Sequence, residues 1–343
     1  MTTMTSHPDR ILRALRLPLL CALLWLLSAG SAHASINCTA SMTAVAFGTV
    51  DLVAGTATPA NATLTYTCTK TGNNNTTEYA RVCFNIGDGN EGLTNFNPRV
   101  MKNGAGDSLK FQLFQGTSNT IWGSNGNAAV PNPYTINISI PARSTSVSGS
   151  ATMRGELLAG QSTAPPGSYQ DNFSGIHTSI TLTSSTNAPP TNCGGSTLSD
   201  QFAFIVSATI SKSCIVTADP LNFGTVSGLP GGGNVDQVGT IYVTCTTPTG
   251  YTVALTPSNN VSNGAGAMTP TGGVPGNTDT VPYQLYRNSN RTLVWGSVTG
   301  TNTFAGTGSG LVQALPLYGR VLGASTNVRP DSYMDVVTVA VTY

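Results

Sequence analysis

The segment from Cys38 to Val50 returns as Cys214 to Val226, and in each copy Phe-Gly-Thr-Val begins nine residues after the cysteine, at Phe47 and at Phe223. A run ending in a second cysteine follows both: Leu64-Thr65-Tyr66-Thr67-Cys68 and Ile241-Tyr242-Val243-Thr244-Cys245, 30 and 31 residues after the first. Further on, Leu109 to Phe114 with Ile121-Trp122-Gly123 matches Val281 to Tyr286 with Val294-Trp295-Gly296. Finally Pro166-Gly167-Ser168-Tyr169-Gln170-Asp171 matches Pro330-Asp331-Ser332-Tyr333-Met334-Asp335, each leading into an alternating run, His177–Thr183 and Val337–Tyr343. Four matched blocks in one order identify a tandem duplication, so whatever one copy folds into, the chain must build twice. Short runs rich in Thr, Val, Tyr and Phe alternate with Gly, Asn, Pro and Ser clusters, and no 3.6-residue period is sustained past the N-terminus. The prediction is all-β: two tandem immunoglobulin-like antiparallel β-sandwiches, over residues 35–200 and 201–343.

Residues 1–34 read as a cleaved secretory signal. Arg10, Arg13 and Arg16 precede the apolar run Leu17–Leu27, and Ala32-His33-Ala34 fits an A-x-A cleavage site. Eleven apolar residues are too few to cross a hydrocarbon layer of roughly 30 Å. Export makes disulfides available, and past the signal six cysteines remain, with no C-x-x-C pair among them. The repeat pairs Cys38 with Cys68 and Cys214 with Cys245. Cys83 and Cys193 then pair by elimination, although the sequence leaves open whether that bond forms.

Without residues 1–34 the basic count is 15 − 3 = 12 and the acidic count 14 − 1 = 13, a net charge near −1. That gives no electrostatic footprint for nucleic acid. One histidine remains, His177, and it reads as a strand histidine in Gly175–Ser179. The carboxylates Asp51, Glu78, Asp88, Glu91, Asp107, Glu156 and Asp171 share no motif, and there is no Gly-x-Ser-x-Gly elbow. Neither an enzyme, a metal site nor a cofactor is expected.

The early cysteine with Phe-Gly-Thr-Val, the strand-end cysteine, Tyr283-Gln284-Leu285-Tyr286-Arg287 with Trp295-Gly296, and Pro-x-Ser-Tyr-x-Asp together resemble the spore coat protein U domain family, the subunits of archaic chaperone–usher pili. The resemblance spans essentially the whole chain after the signal, and the second copy is nearer the pattern. It implies incomplete sandwiches held first by a periplasmic chaperone, passed through an outer-membrane usher, and completed by a strand from an adjacent pilin. Two-domain members resemble the tip adhesin, which implies export to the cell surface, attachment to abiotic or host surfaces and biofilm formation. The alternatives are a secreted coat or matrix protein and a carbohydrate-binding module.

A donated strand must alternate apolar residues to fill a groove on one face. Before Cys38 the sequence offers only Ser35-Ile36-Asn37 after the signal, which is expected to leave this subunit without a strand to donate. Before Cys214, Phe202, Phe204, Val206, Ala208 and Ile210 form one apolar face. Tethered behind the first copy, this stretch is a candidate donor strand completing that copy in cis; the alternative is an ordinary first strand of the second. The family resemblance assigns the chaperone-facing groove edge to Val337, Val339, Val341 and Tyr343, which also read as a core strand closed by an aromatic plug.

The first copy departs from the repeat in three long loops, from Asp88 to Gly106, Gly116 to Tyr134 and Leu157 to Tyr169. Apolar residues on loop tips mark contact surfaces. Leu93, Phe96, Val130, Pro131, Ala164, Pro165 and Pro166 are the candidates, the alternative being that they tuck against the sandwich end. Trp122, inside the repeated Trp-Gly block, is assigned to the core.

Overall fold

The computed structural model describes residues 35–72, 75–194, 198–229 and 231–343, so the signal assigned to residues 1–34 lies outside the described residues. Among those described, Thr- and Val-rich runs bounded by turn residues form strands and no α-helix. The first copy contributes β1 (Ser35–Met42), β2 (Val45–Val50), β3 (Thr58–Thr71), β4 (Glu78–Ile86), β5 (Arg99–Lys102), β6 (Ser108–Gln115), β7 (Tyr134–Ile140), β8 (Ser146–Leu157), β9 (Gly167–Phe173), β10 (Thr178–Ser185) and β11 (Leu198–Asp200). After β12 (Phe204–Ile210) come β13 (Cys214–Ala218), β14 (Val235–Cys245), β15 (Gly250–Thr256), β16 (Ala265–Pro270) and β17 (Val281–Tyr286). The chain ends with β18 (Phe304–Thr307), β19 (Gln313–Val321), β20 (Tyr333–Met334) and β21 (Thr338–Thr342).

In the first unit an eight-stranded sheet, ordered β1-β3-β8-β6-β5-β9-β12-β2, packs on a four-stranded sheet, β11-β10-β4-β7. The second unit repeats this with six strands, β13-β14-β19-β17-β16-β20, and three, β18-β15-β21. The inward side chains of each sheet pair form one apolar core per unit.

The repeated blocks recur as the same physical devices. Cys38 lies opposite Cys68 and Cys214 opposite Cys245, and both pairs are disulfides. Trp122 and Trp295 are fully buried, and each satisfies its indole N–H on a carbonyl across the core, Phe84 O at 2.8 Å and Val253 O at 3.0 Å. In the Pro-x-Ser-Tyr block, Tyr169 donates its hydroxyl to Pro165 O at 2.7 Å and Tyr333 to Arg329 O at 2.8 Å. Each bond fastens the corner entering the last strands of its unit. Cys83 is bonded to Cys193, a bridge without a counterpart in the second copy.

β12 is where the two units differ. It pairs antiparallel with β9 from Phe204↔Phe173 to Ile210↔Gly167, and parallel with β2 from Val206↔Val45 to Ile210↔Val50. Its inward residues belong to the first core, so Phe202–Ile210, placed after the sequence-drawn boundary at residue 200, packs with the residues before that boundary. The chain then continues through Ser211–Ser213 into β13, with Ser211 N donating to Val50 O at 3.2 Å and Ser213 Oγ to Asp51 Oδ2 at 2.7 Å.

Candidate functional site

Phe-Gly-Thr-Val occurs in both copies, yet only the first makes a strand of it. In the first unit β2 finds its ladder partner in β12, and Val50 is 4% exposed. In the second, the matching residues Phe223–Val226 take no part in any ladder, and Val226 is 38% exposed. Identical local sequence cannot account for this. The cause is the neighbour: a segment at a sheet margin with no strand beside it has no partner for its backbone N–H and C=O groups.

Beside that segment lies a groove of about 250 Å³ in the second unit. Its floor carries Ile241, Leu255, Leu285 and Leu317; Leu221 and Phe223 form one rim, and Tyr333, Val337 and Val339 the other. These are the positions that β12 covers in the first unit. There Phe202, Phe204, Val206, Ala208 and Ile210 are all buried. Phe204 stacks on Phe173 at 4.6 Å between centroids, and Phe202 meets Phe84 edge-on at 6.0 Å. No described segment of this chain does the same for the second groove.

Tyr283 donates its hydroxyl to Asp335 Oδ2 at 2.5 Å, and burial together with that bond holds the phenol far above its ordinary pKa, as a neutral donor. The lining offers apolar pockets and, on the Leu221 and Phe223 side, a rim outside any ladder, which suits an extended peptide with alternating side chains. Among the described residues no group of His, Cys, Asp and Glu is placed to hold a metal.

Of the terminal residues, Val337, Val339 and Val341 pack against the second core on or beside β21, which pairs with β15. Tyr343 is exposed, so no aromatic plug closes the strand. Leu221, Phe223 and Tyr283, which complete the groove, stand in the sequence only as members of the repeat and not as groove residues. Their signal was present in the repeat, because Leu221 and Phe223 align with the buried Val45 and Phe47.

The loop candidates separate into two groups. Leu93 is 71% exposed on a left-handed backbone (φ 48°), and Phe96 is half-buried nearby. The loop is anchored by Asp88, whose Oδ2 accepts from Thr94 N at 2.6 Å and whose Oδ1 lies 3.0 Å from His177 Nδ1. His177 thus stands in the short turn Gly175–His177 ahead of β10, not in a strand; Gly175 opens that turn at φ 58°. The preceding Ile176, overlooked in the sequence, is 93% exposed. Pro131 is also exposed. Strand register and the backbone bonds of Gly87 to His177 and of Gly123 to Asn132 put these loops at the Phe204 end of β12, about 20 Å from the Ile210 end that leads to the second unit, at roughly 3.3 Å per residue.

Val130 and Ala164 depart from the expectation of exposed loops, for both are buried. Asn127 Oδ1 draws in Val130 N at 2.9 Å, and Ala164 joins the first core. Pro165 and Pro166 are half-buried on a loop whose Ser162 and Thr163 lie against Gly310 of the second unit, so this loop lies toward the other end.

The family described as the Spore Coat Protein U domain matches residues 25–175 and 200–340. Among solved structures, the chain is similar to the CsuC–CsuE chaperone–tip adhesion subunit pre-assembly complex from archaic chaperone-usher Csu pili of Acinetobacter baumannii. That likeness has 16% identity and a TM-score of 0.50, over 89% of this chain and 100% of that one, and it bears on fold alone. The CupB6 tip adhesin from Pseudomonas aeruginosa matches at 10% identity and a TM-score of 0.35, over 91% of this chain and 95% of that one, too distant to add an argument. No curated protein sequence matches. With both copies of the repeat matched across most of its length, the chain belongs to the Spore Coat Protein U domain family.

Proposed function

We propose that this protein is the tip adhesin subunit of an archaic chaperone–usher pilus, with β12 as an in-cis donor strand and the second unit's groove as the one acceptor site. The observation that carries this reading is the asymmetry of the two units. The first core is filled by five alternating side chains of the chain itself, while the matching groove of the second has an apolar floor that no described segment fills. A subunit that closes its own first groove and opens its second accepts one strand, as the end of a fibre requires. The strand comes first from a periplasmic chaperone and then, after passage through the outer-membrane usher, from an adjacent pilin. Val337, Val339 and Val341 form its groove edge.

Attachment is assigned to the end of the first unit away from the groove, where Leu93, Ile176 and Pro131 are exposed with Phe96 beside them. Exposed apolar tips suit adhesion to abiotic or host surfaces and biofilm formation by exclusion of water. The protein is thereby exported through the periplasm and works extracellularly.

The test is expression of the full chain in a periplasm, with and without the chaperone encoded beside it. Recovery only as a one-to-one complex is expected, with the chaperone strand cross-linking to a cysteine placed at Val339. A stable monomer made without any chaperone would refute the acceptor role and favour a coat or matrix protein.

A further inference from the structure

The disulfide absent from the second copy builds a feature that copy lacks. On β4, Ala80, Val82, Phe84 and Ile86 point into the core, so Arg81, Cys83 and Asn85 face outward from the smaller sheet. The Cys83–Cys193 bond lays the segment around Asn192 across this outer face, where Thr183 Oγ1 donates to Asn192 Oδ1 at 3.3 Å. From the opposite side the loop after Trp122 folds over the same face. Asn125 N donates to Asn85 Oδ1 at 2.8 Å, and Gln115 Nε2 to Asn132 O at 2.9 Å. Between these two anchored walls lies a concavity of about 640 Å³, lined in part by Arg81, Gln115, Asn125, Asn132 and Asn192.

Arg81 is the one charged residue among the described residues of that lining. It makes no ion pair among the described residues. Its Nη1 reaches Asn137 Oδ1 at 3.3 Å, while its Nε, shielded from solvent, has no acceptor among the described residues. Taking Phe84 and Val253 as equivalents through their bonds to the two tryptophans, Arg81, Cys83 and Asn85 become Gly250, Thr252 and Ala254 in the second unit, so charge, bridge and anchor are all missing there.

We propose that this concavity binds a carboxylate-bearing saccharide, a sugar of the uronic or sialic acid type, with Arg81 on the carboxylate and the surrounding carboxamides on the hydroxyls. The guanidinium fork matches a carboxylate in a bidentate manner. Carboxamides donate and accept at once, as sugar hydroxyls do. A single positive charge suits one carboxylate better than a doubly charged phosphate, and a space of this size exceeds what a small ion fills.

The experiment is calorimetric titration of the full chain, in complex with its chaperone if it requires one, using trigalacturonate, sialyllactose and the methyl ester of each. Saturable binding of at least one acid is expected, weakened roughly tenfold or more by esterification and by Arg81→Gln, with the three disulfides intact. Asn132→Asp, an exposed change that adds a repelling carboxylate to the wall, is expected to weaken binding likewise. Equal affinity for acid and ester, wild-type affinity in both variants, or no binding of either acid would overturn the assignment.

Discussion

Replacing Phe204 by alanine tests whether β12 is part of the first unit's core. The ring is buried between β9 and β2 and lies parallel to Phe173 at 4.6 Å, with an interplanar angle of 8°. Truncating a buried phenylalanine costs about 3–5 kcal/mol, the lost transfer energy plus that of the cavity left behind. For a domain of this size each kcal/mol moves the melting temperature by about 2–4 °C, so a fall of roughly 6–20 °C is expected. The neighbour Ile205 is 45% exposed on the opposite face and supplies the control; Ile205→Ala should cost about 0.5 kcal/mol or less. Scanning calorimetry of the full chain separates the cases, because only the first unit's transition should move. If Phe204→Ala and Ile205→Ala shift it equally little, or if the second unit's transition moves instead, the in-cis strand is wrong.

Three further outcomes follow from the same packing. Burial pushes the Asp171 carboxyl up to about 6, against the opposing pull of N–H donors from Glu91 and Asn172. An acid whose folded pKa exceeds its unfolded value adds stability where it is protonated, and loses it as pH rises from about 4 through about 6. Over that window the first unit should therefore lose stability relative to Asp171→Asn; parallel urea midpoints for the two proteins would contradict the shift. Tyr169→Phe and Tyr333→Phe each delete one hydroxyl-to-carbonyl bond and should cost about 0.5–1.5 kcal/mol in their own unit alone, read from separate calorimetric transitions. Cys83→Ser combined with Cys193→Ser opens a bridge spanning 110 residues and should cost about 4–5 kcal/mol in the chain-entropy model, to be checked by the denaturant midpoint. A smaller effect than that of opening the 30-residue Cys38–Cys68 loop would argue against the model.

The sequence by itself determined what depends on local pattern and on self-comparison. Period-two alternation forces strands, and a repeated Cys, Phe-Gly-Thr-Val, Trp-Gly and Pro-x-Ser-Tyr forces two units with the same disulfide, the same buried indole and the same tyrosine corner. Alternation also showed that Phe202, Phe204, Val206, Ala208 and Ile210 share a face, but it could not say which core that face would enter. A two-residue period is the same whether a strand precedes its own unit or completes the one before it. Only the tertiary structure decided, since pairing is non-local: the space between β9 and β2 accepts β12, and that acceptance in turn makes Phe47–Val50 a strand while Phe223–Val226 is not one. The same physics separates Leu93 and Ile176 from Val130 and Ala164. All four are apolar residues in loops, and non-local contact decides their exposure: Ala164 joins the first core and Val130 is held in by Asn127 Oδ1, while Leu93 and Ile176 are left in solvent.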